Sequence, residues 1–219
     1  MIKGCIFDLD GTLLNTLTSI NYYVNKSLAG AGFGNITEEQ TAVFVGDGAK
    51  ALIERALGAN GIDIKNLGDF VAALTKEYVE EYNANPEYLT KPYDTIPELL
   101  DKLKKRGMKL GVVSNKPHST VLPLVQRFFP GVFDAVSGGK SGIPLKPAPE
   151  APLMQCEELG LSPSEIAYFG DTGTDMKTGK AFSAALTVGV SWGFRSEEEL
   201  VACGADATID SPLEILDLV

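Results

Sequence analysis

Two aspartates two residues apart, Asp8 and Asp10, close a short apolar run and are followed by Gly11 and Thr12. On an extended chain, residues i and i+2 face the same side, so both carboxylates address one point. Gly11 lets the backbone turn sharply and approach a ligand closely. Paired carboxylates at a strand end suit a divalent cation, because hard ions take oxygen ligands. A turn carrying two solvated acids is the plainer alternative. A second acidic pair, Asp171 and Asp175, follows another apolar run in Gly170-Asp-Thr-Gly-Thr-Asp175. Four carboxylates converging without compensation would repel one another, and some would take up protons. A bound cation and a nearby lysine relieve that repulsion. Lys146, in the stiff Pro144-Leu-Lys146-Pro147 segment ahead of a helix, is the candidate lysine.

The elements that would carry these groups alternate. Ile2–Leu9, Lys109–Ser114, Glu165–Gly170 and Ala184–Val190 read as short buried strands. A polar residue stands where each of the first three stops: Asp8, Asn115 and Asp171. Helices fill the intervals. Thr95-Ile-Pro-Glu98 reads as a capping box with a first-turn proline, opening a helix that stops near Gly107. Ser211 to Glu214 repeats the device, and Ser196 to Glu199 and Thr37 to Gln40 fit it too. Strands alternating with helices predict a parallel sheet covered on both faces, with ligands at the carboxyl ends of its strands. From about Asn15 to Asn85 the alternation fails. Ile20, Tyr23, Val24, Ser27 and Leu28 recur at helical spacing, as do Phe70, Leu74, Tyr78 and Val79, and no strand is evident. This predicts a helical cap over 15–85, returning through Asn83–Pro92 to a core made of 1–14 and 86–219.

Composition narrows the function. The 219 residues are 44% hydrophobic and 22% charged, ordinary for a globular chain. The net charge of −10 repels nucleic acid unless a local basic patch offsets it. The densest basic run, Lys102, Lys104, Lys105 and Arg106, reads as a solvated helix end whose cations complement the helix dipole. Three scattered cysteines with no C-x-x-C pair argue against a zinc site or a disulfide framework. No run reaches the roughly 18 apolar residues of a membrane span, and no signal-peptide pattern precedes Asp8. The expected setting is cytoplasmic, with reduced thiols and with neither a nucleic-acid nor a membrane partner.

Taken together, Asp8-x-Asp10-Gly-Thr, Ser114-Asn115, Lys146-Pro147 and Gly170-Asp171-x-x-x-Asp175 resemble the four ordered motifs of the haloacid dehalogenase-like hydrolases. The helical insert after the first motif resembles that superfamily's C1 cap. Val45-Gly-Asp-Gly48, Ser-Asn-Lys116-Pro117 and the Gly-Asp-Thr-x-x-Asp-Met run are most similar to the phosphoglycolate phosphatase-like branch. The resemblance implies an α/β Rossmann-like core and a magnesium-dependent phosphatase acting on a small phosphorylated metabolite, as a monomer or homodimer. On that reading Asp8 attacks phosphorus and Asp10 serves as general acid and base. Lys146 neutralises the nucleophile–phosphate pair. Ser114 and backbone amides near Leu9, Gly11 and Asn115, with Thr12, hold the phosphate. The resemblance makes Asp8, the Asp10 carbonyl and Asp171 the Mg²⁺ ligands, with Asp175 a ligand through water or an orienting group. Lys50, Lys116, His118 and Arg195 are candidate substrate contacts, and Trp192 and Phe194 are expected to pack.

Other chemistries share the fold. Haloalkanoate dehalogenases lack an acid two residues after the nucleophile, because a halide leaves without protonation, so Asp10 argues against them. Phosphonatases use a cap lysine as a Schiff base; Lys50 could stand there, yet Asp10 again favours ester hydrolysis. A sugar phosphomutase needs the same aspartate pair and stays open. A phospho-acceptor signalling domain lacks the plus-two acid, so Asp10 and the cap both count against it.

Overall fold

The structure, a computed structural model, describes residues 1–219. Strand β1 (Gly4–Phe7) leads through the short strand β2 (Leu14–Asn15) into four helices, α1 (Leu17–Gly30), α2 (Glu38–Phe44), α3 (Ala49–Ala59) and α4 (Gly68–Ala84). Strand β3 (Lys91–Pro92) returns antiparallel to β2. The chain then alternates: α5 (Ile96–Lys105), β4 (Lys109–Pro117), α6 (His118–Phe128), β5 (Ala135–Gly139), α7 (Glu150–Leu159), β6 (Ile166–Gly170) and α8 (Gly173–Ala181). It closes with β7 (Leu186–Val190), α9 (Glu197–Ala202), β8 (Ala207–Ile209) and α10 (Ile215–Leu218).

Six parallel strands form the main sheet in the order β5-β4-β1-β6-β7-β8. β1 is central, and Cys5, Ile6 and Phe7 are wholly buried. Strand alternation sends Ile6 to one face, where it packs with Cys156, Leu159 and Phe182 beside α7 and α8. Cys5 and Phe7 go to the other, with Leu99, Leu103, Leu124 and Ile215 of α5, α6 and α10. Phe7 stacks on Phe169 at 5.0 Å between ring centroids. The chain leaves β1 to build β4 and β5 on one side, then returns to lay β6 on the other. That reversal opens a crevice at the carboxyl end of β1, where α/β sheets bind ligands. The expected α/β sheet with helices on both faces is therefore present.

Several local readings need correction. Beside the two-residue strands β2 and β3, two strands of the main sheet escaped detection, β5 and β8, and both are its edges. One-sided exposure and the glycines of Ala135-Val-Ser-Gly-Gly139 dilute the apolar signal there. β4 runs past Ser114 to Pro117, through a register shift between Val113 and Pro117, so Ser114 and Asn115 lie within its irregular end. Thr95 does not cap α5: it adopts a left-handed backbone, φ 66°, and its side chain makes no cap bond. Gln40 and Thr37 do form a reciprocal box, and Ser196 accepts the Glu199 amide. Ser211 and Glu214 form theirs around a 3₁₀ turn before α10.

Between β2 and β3 the chain is helical, as expected, though α4 extends to Ala84, so the return segment begins at Asn85. The buried stripe of α4 is Val71, Leu74, Tyr78 and Tyr82; Phe70 is exposed, one residue out of register with the expected stripe. The basic run ending α5 is solvated and paired, with Lys102 on Glu98 at 2.7 Å, Lys105 on Asp101 at 2.7 Å and Lys104 on Asp134 at 3.1 Å. No helix is long and apolar enough to cross a membrane.

Candidate active site

Asp8 sits one residue beyond β1, its amide donating to the Phe169 carbonyl at 2.9 Å, which ties the loop to β6. The turn after it is tight. Leu13 and Leu14 amides both donate to the Leu9 carbonyl, at 3.0 and 2.9 Å. Gly11 has φ 84°, and a Cβ there would lie 2.2 Å from Asp171 Oδ2, so only glycine lets this turn meet the β6 loop. Gly193 and Gly170 are needed for similar reasons, with a Cβ 2.2 Å from Asp171 Cβ and 2.3 Å from Asp175 Cβ respectively.

Four acids and a lysine converge. Asp8 is 6% exposed, Lys146 is 5% exposed, and Asp171 and Asp175 are completely buried. One oxygen from each of Asp8, Asp171 and Asp175 lies within 4.8 Å of the others. Lys146 Nζ stands 2.8 Å from Asp8 Oδ1 and 2.7 Å from Asp175 Oδ1. The contact to Asp8 is an ion pair whose angles are poor for a hydrogen bond, and no other protein group donates to that oxygen. Asp175, in the first turn of α8, is saturated instead. Its Oδ1 accepts from Lys146 and from the Tyr168 hydroxyl at 3.1 Å, and its Oδ2 from the Thr172 amide at 3.1 Å and the Thr172 hydroxyl at 2.5 Å. Asp171 accepts from the Thr12 hydroxyl at 3.1 Å and the Phe194 amide at 2.9 Å.

The electrostatics are unbalanced. At separations near 4.8 Å, two carboxylates repel by about 3–4 kcal/mol at an effective dielectric of about 20. Lys146 pairs with Asp8 and Asp175 and leaves Asp171 without a cation. Burial first, then Asp175 and Asp10, push Asp8 up to about 7 against the downward pull of Lys146. Burial, then Asp175 and Asp8, hold Asp171 well above the carboxylate range. Burial opposes the charge on Lys146, but Asp175 and Asp8 outweigh it and keep the ammonium protonated. With Asp8, Asp171 and Asp175 all ionised, the one ammonium would leave two negative charges without a partner, which is why the first two resist ionisation. That deficit, with the clustered carboxylate oxygens of Asp8 and Asp171 and an Asp10 carbonyl that accepts no protein hydrogen bond, fits a divalent cation with oxygen ligands.

Beside this cluster opens a cleft of about 590 Å³, part of it open to solvent. Asp8, Asp10, Ser114 and Lys116 line its floor, and Ile20, Leu52, Tyr78 and Tyr82 of α1, α3 and α4 face them. Thus Asp8, Asp10, Lys146, Ser114, Asn115, Asp171 and Asp175 come together as expected. Other candidates are placed differently. The Gly11 amide donates to the Leu14 carbonyl at 2.9 Å and the Thr12 hydroxyl to Asp171, so both groups shape the loop. The Leu9 amide makes no hydrogen bond within the protein. The Asn115 side chain holds both peptide groups of Lys146, at 2.8 and 3.1 Å, and the Gly46 carbonyl at 2.9 Å.

The substrate candidates divide. Lys50 is not brought to the cleft: its side chain is 70% exposed and faces Glu54 at 3.6 Å. His118 accepts the Gly138 amide at 3.2 Å, and burial, with Lys140 nearby, lowers its pKa; it lies outside the cleft lining. Arg195 donates to the Ala42, Val43 and Val45 carbonyls at the end of α2, so its guanidinium grips the helical insert. Thr174 reinforces that grip on Asp47 at 2.9 Å. Lys116 alone lines the cleft, its Nζ 3.2 Å from Asp10 Oδ1. Trp192 donates to the Thr12 carbonyl at 3.0 Å, and Phe194, expected only to pack, also lines the cleft. Tyr78 and Tyr82 were not foreseen as cleft residues. Their helical stripe signals burial, and nothing in the sequence distinguishes an aromatic facing a cleft from one facing a core.

The family model for haloacid dehalogenase-like hydrolases matches residues 5–188. The chain is 32% identical to the N-acetylmuramic acid 6-phosphate phosphatase of Pseudomonas aeruginosa, over all of this chain and 95% of that one. It is 31% identical to the phosphoglycolate phosphatase of Aquifex aeolicus, over all of this chain and 97% of that one. A crystal structure from Lactobacillus delbrueckii subsp. bulgaricus, assigned as a phosphoglycolate phosphatase by prediction, superposes with a TM-score of 0.92 at 30% identity, covering 99% of this chain and 97% of its own. Similarity over the full length of both chains joins four ordered motifs meeting at one sheet end, and the chain belongs to the haloacid dehalogenase-like hydrolase family, on its phosphoglycolate phosphatase-like branch.

Proposed function

We propose that this protein is a magnesium-dependent phosphatase that hydrolyses a small phosphate monoester through an aspartyl-phosphate on Asp8. The observation that carries the reading is a buried aspartate, Asp8, held by the Lys146 ammonium at 2.8 Å and sharing one cleft with a second acid, Asp10. Asp8 attacks phosphorus while Asp10 gives its proton to the departing alkoxide. Asp10 then takes a proton from the water that releases phosphate. The Ser114 hydroxyl and the Leu9 amide hold phosphate oxygens. Asp8, Asp171 and the Asp10 carbonyl would hold the metal, which when bound offsets charge between Asp8 and phosphate. Asp175, with two donors on each oxygen, orients Lys146 and leaves the metal to the others.

Residues 15–85 act as a cap on a core of 1–14 and 86–219, excluding water during transfer. Hydrolysis is favoured over phosphomutase chemistry by the cleft's charge. A mutase must hold a second phosphate, and the one lysine lining the cleft already faces Asp10. Three unpaired cysteines accord with a cytoplasmic setting.

Two measurements test this reading. Chelation should abolish phosphate release and magnesium should restore it, with calcium a poor substitute, because its looser coordination misplaces in-line attack. Full activity after exhaustive chelation would contradict the metal. On a substrate panel, phosphoglycolate or another small metabolite phosphate should be hydrolysed well and a folded phosphoprotein hardly at all. Rapid phosphoprotein turnover would show that the helices of 15–85 do not close the site.

A further inference from the structure

Lys116 is the cation whose role the chemistry above leaves open. It stands at the end of β4, its side chain only 8% exposed, with its amide donating to Ser114 Oγ at 3.1 Å. Its Nζ lies 3.2 Å from Asp10 Oδ1, the single protein hydrogen bond to that carboxylate. On its other side Nζ lies over the Tyr82 ring, 4.1 Å from the centroid, in cation–π geometry. The ammonium is therefore fixed between an aromatic face from α4 and the acid of the catalytic loop. We propose that Lys116 is a positioning residue for Asp10, anchoring Oδ1 so that the other carboxyl oxygen meets the leaving oxygen of the ester; this rests on the phosphatase reading above.

The proton inventory explains what the contact does. As the bond from Asp8 to phosphorus forms and the bond from phosphorus to the leaving oxygen breaks, Asp10 transfers its proton to that oxygen and becomes a carboxylate. The Lys116 ammonium stabilises the charge that appears on Asp10 in that step, an interaction stronger in the transition state than before it. Water then attacks the aspartyl-phosphate, its proton returns to Asp10, and phosphate leaves. A free Asp10 side chain would sample several rotamers, and a misplacement of about 1 Å can cost about 10²-fold in rate. A substrate carboxylate would have to compete with Asp10 and the Tyr82 face for the same ammonium.

The test separates these roles by leaving group. Wild type and Lys116→Met are compared on p-nitrophenyl phosphate, glycerol phosphate and phosphoglycolate. The readout is kcat/KM, which reports steps up to formation of the aspartyl-phosphate. For both alkyl esters it should fall by roughly 30- to 100-fold, and for the aryl ester by less than roughly threefold, since p-nitrophenolate departs without a proton. Lys116→Arg should recover much of the alkyl loss. A loss confined to phosphoglycolate would overturn the proposal in favour of a carboxylate contact, and equal losses on all three esters in favour of a structural role. If Lys116→Met does not fold, Tyr82→Leu removes the aromatic platform and should give a smaller loss with the same alkyl-over-aryl pattern; aryl and alkyl falling together would overturn the idea. Failure of wild type to release phosphate from these three esters and from every other ester of the metabolite panel would defeat the phosphatase reading itself.

Discussion

Asp8→Asn is expected to lower phosphate release by at least roughly three orders of magnitude while leaving the protein folded. The amide keeps the shape of the carboxyl but cannot attack phosphorus. No other nucleophile is poised to replace it: Asp171 is engaged by Thr12 and Phe194, and Asp175 is saturated. The expectation for stability follows from the same electrostatics. In the metal-free protein the Asp8 charge is disfavoured, since burial and neighbouring acids push its pKa up to about 7. Removing a charge that the fold resists should leave the metal-free melting temperature unchanged or raised at pH 8. Lys146 keeps Asp175 as its partner. Phosphate release and thermal unfolding of the same preparation check both parts. Retention of a tenth of wild-type activity would sink the nucleophile assignment.

How much of this was legible in the sequence depends on whether a feature is local. Asp8, Asp10, Asp171 and Asp175 could be found because each follows an apolar run whose end the sequence marks, and parallel strands bring such ends to one edge. Thr172 and Asp175 form a reciprocal box that opens α8, a helix start not among those expected, and the same acid also takes Lys146 and Tyr168. What could not be read were partners chosen by tertiary placement. Arg195 and Lys50 are equally plausible cations in sequence, yet one grips the end of α2 and the other is solvated. Thr12 belongs to a motif that suggests phosphate, but Asp171 is within reach of its hydroxyl and takes the hydrogen bond. Thr95 shows propensity overridden: the turn from β3 imposes a left-handed backbone at the very residue whose side chain would have capped α5.

Lys146→Met should be the most destabilising change at the site, and its cost should depend on pH. The substitution preserves length and apolar stem, so a packing defect is small. It removes the cation 2.8 Å from Asp8 and 2.7 Å from Asp175. Breaking a buried pair by deleting one partner costs about 3–5 kcal/mol, because the other charge stays buried and unpaired. The acids have an escape, which is to take up protons. Asp8 and Asp171 already sit above their ordinary range, so the folded state binds more protons than the unfolded one between about pH 4 and pH 7. Stability from these groups therefore rises as pH falls through that window. Without Lys146 the folded-state values climb further, so the variant should recover stability on acidification more steeply than wild type. Lys146 itself stays protonated throughout and adds no slope of its own. Urea unfolding at pH 8 and pH 5.5 should show a wide gap between the two proteins at pH 8 and a narrow one at pH 5.5. Turnover should fall by at least roughly 10²-fold, because nothing then offsets charge as Asp8 meets phosphate. A stability gap of equal size at both pH values would mean that the lysine serves packing, and that the acids are balanced by something other than its charge.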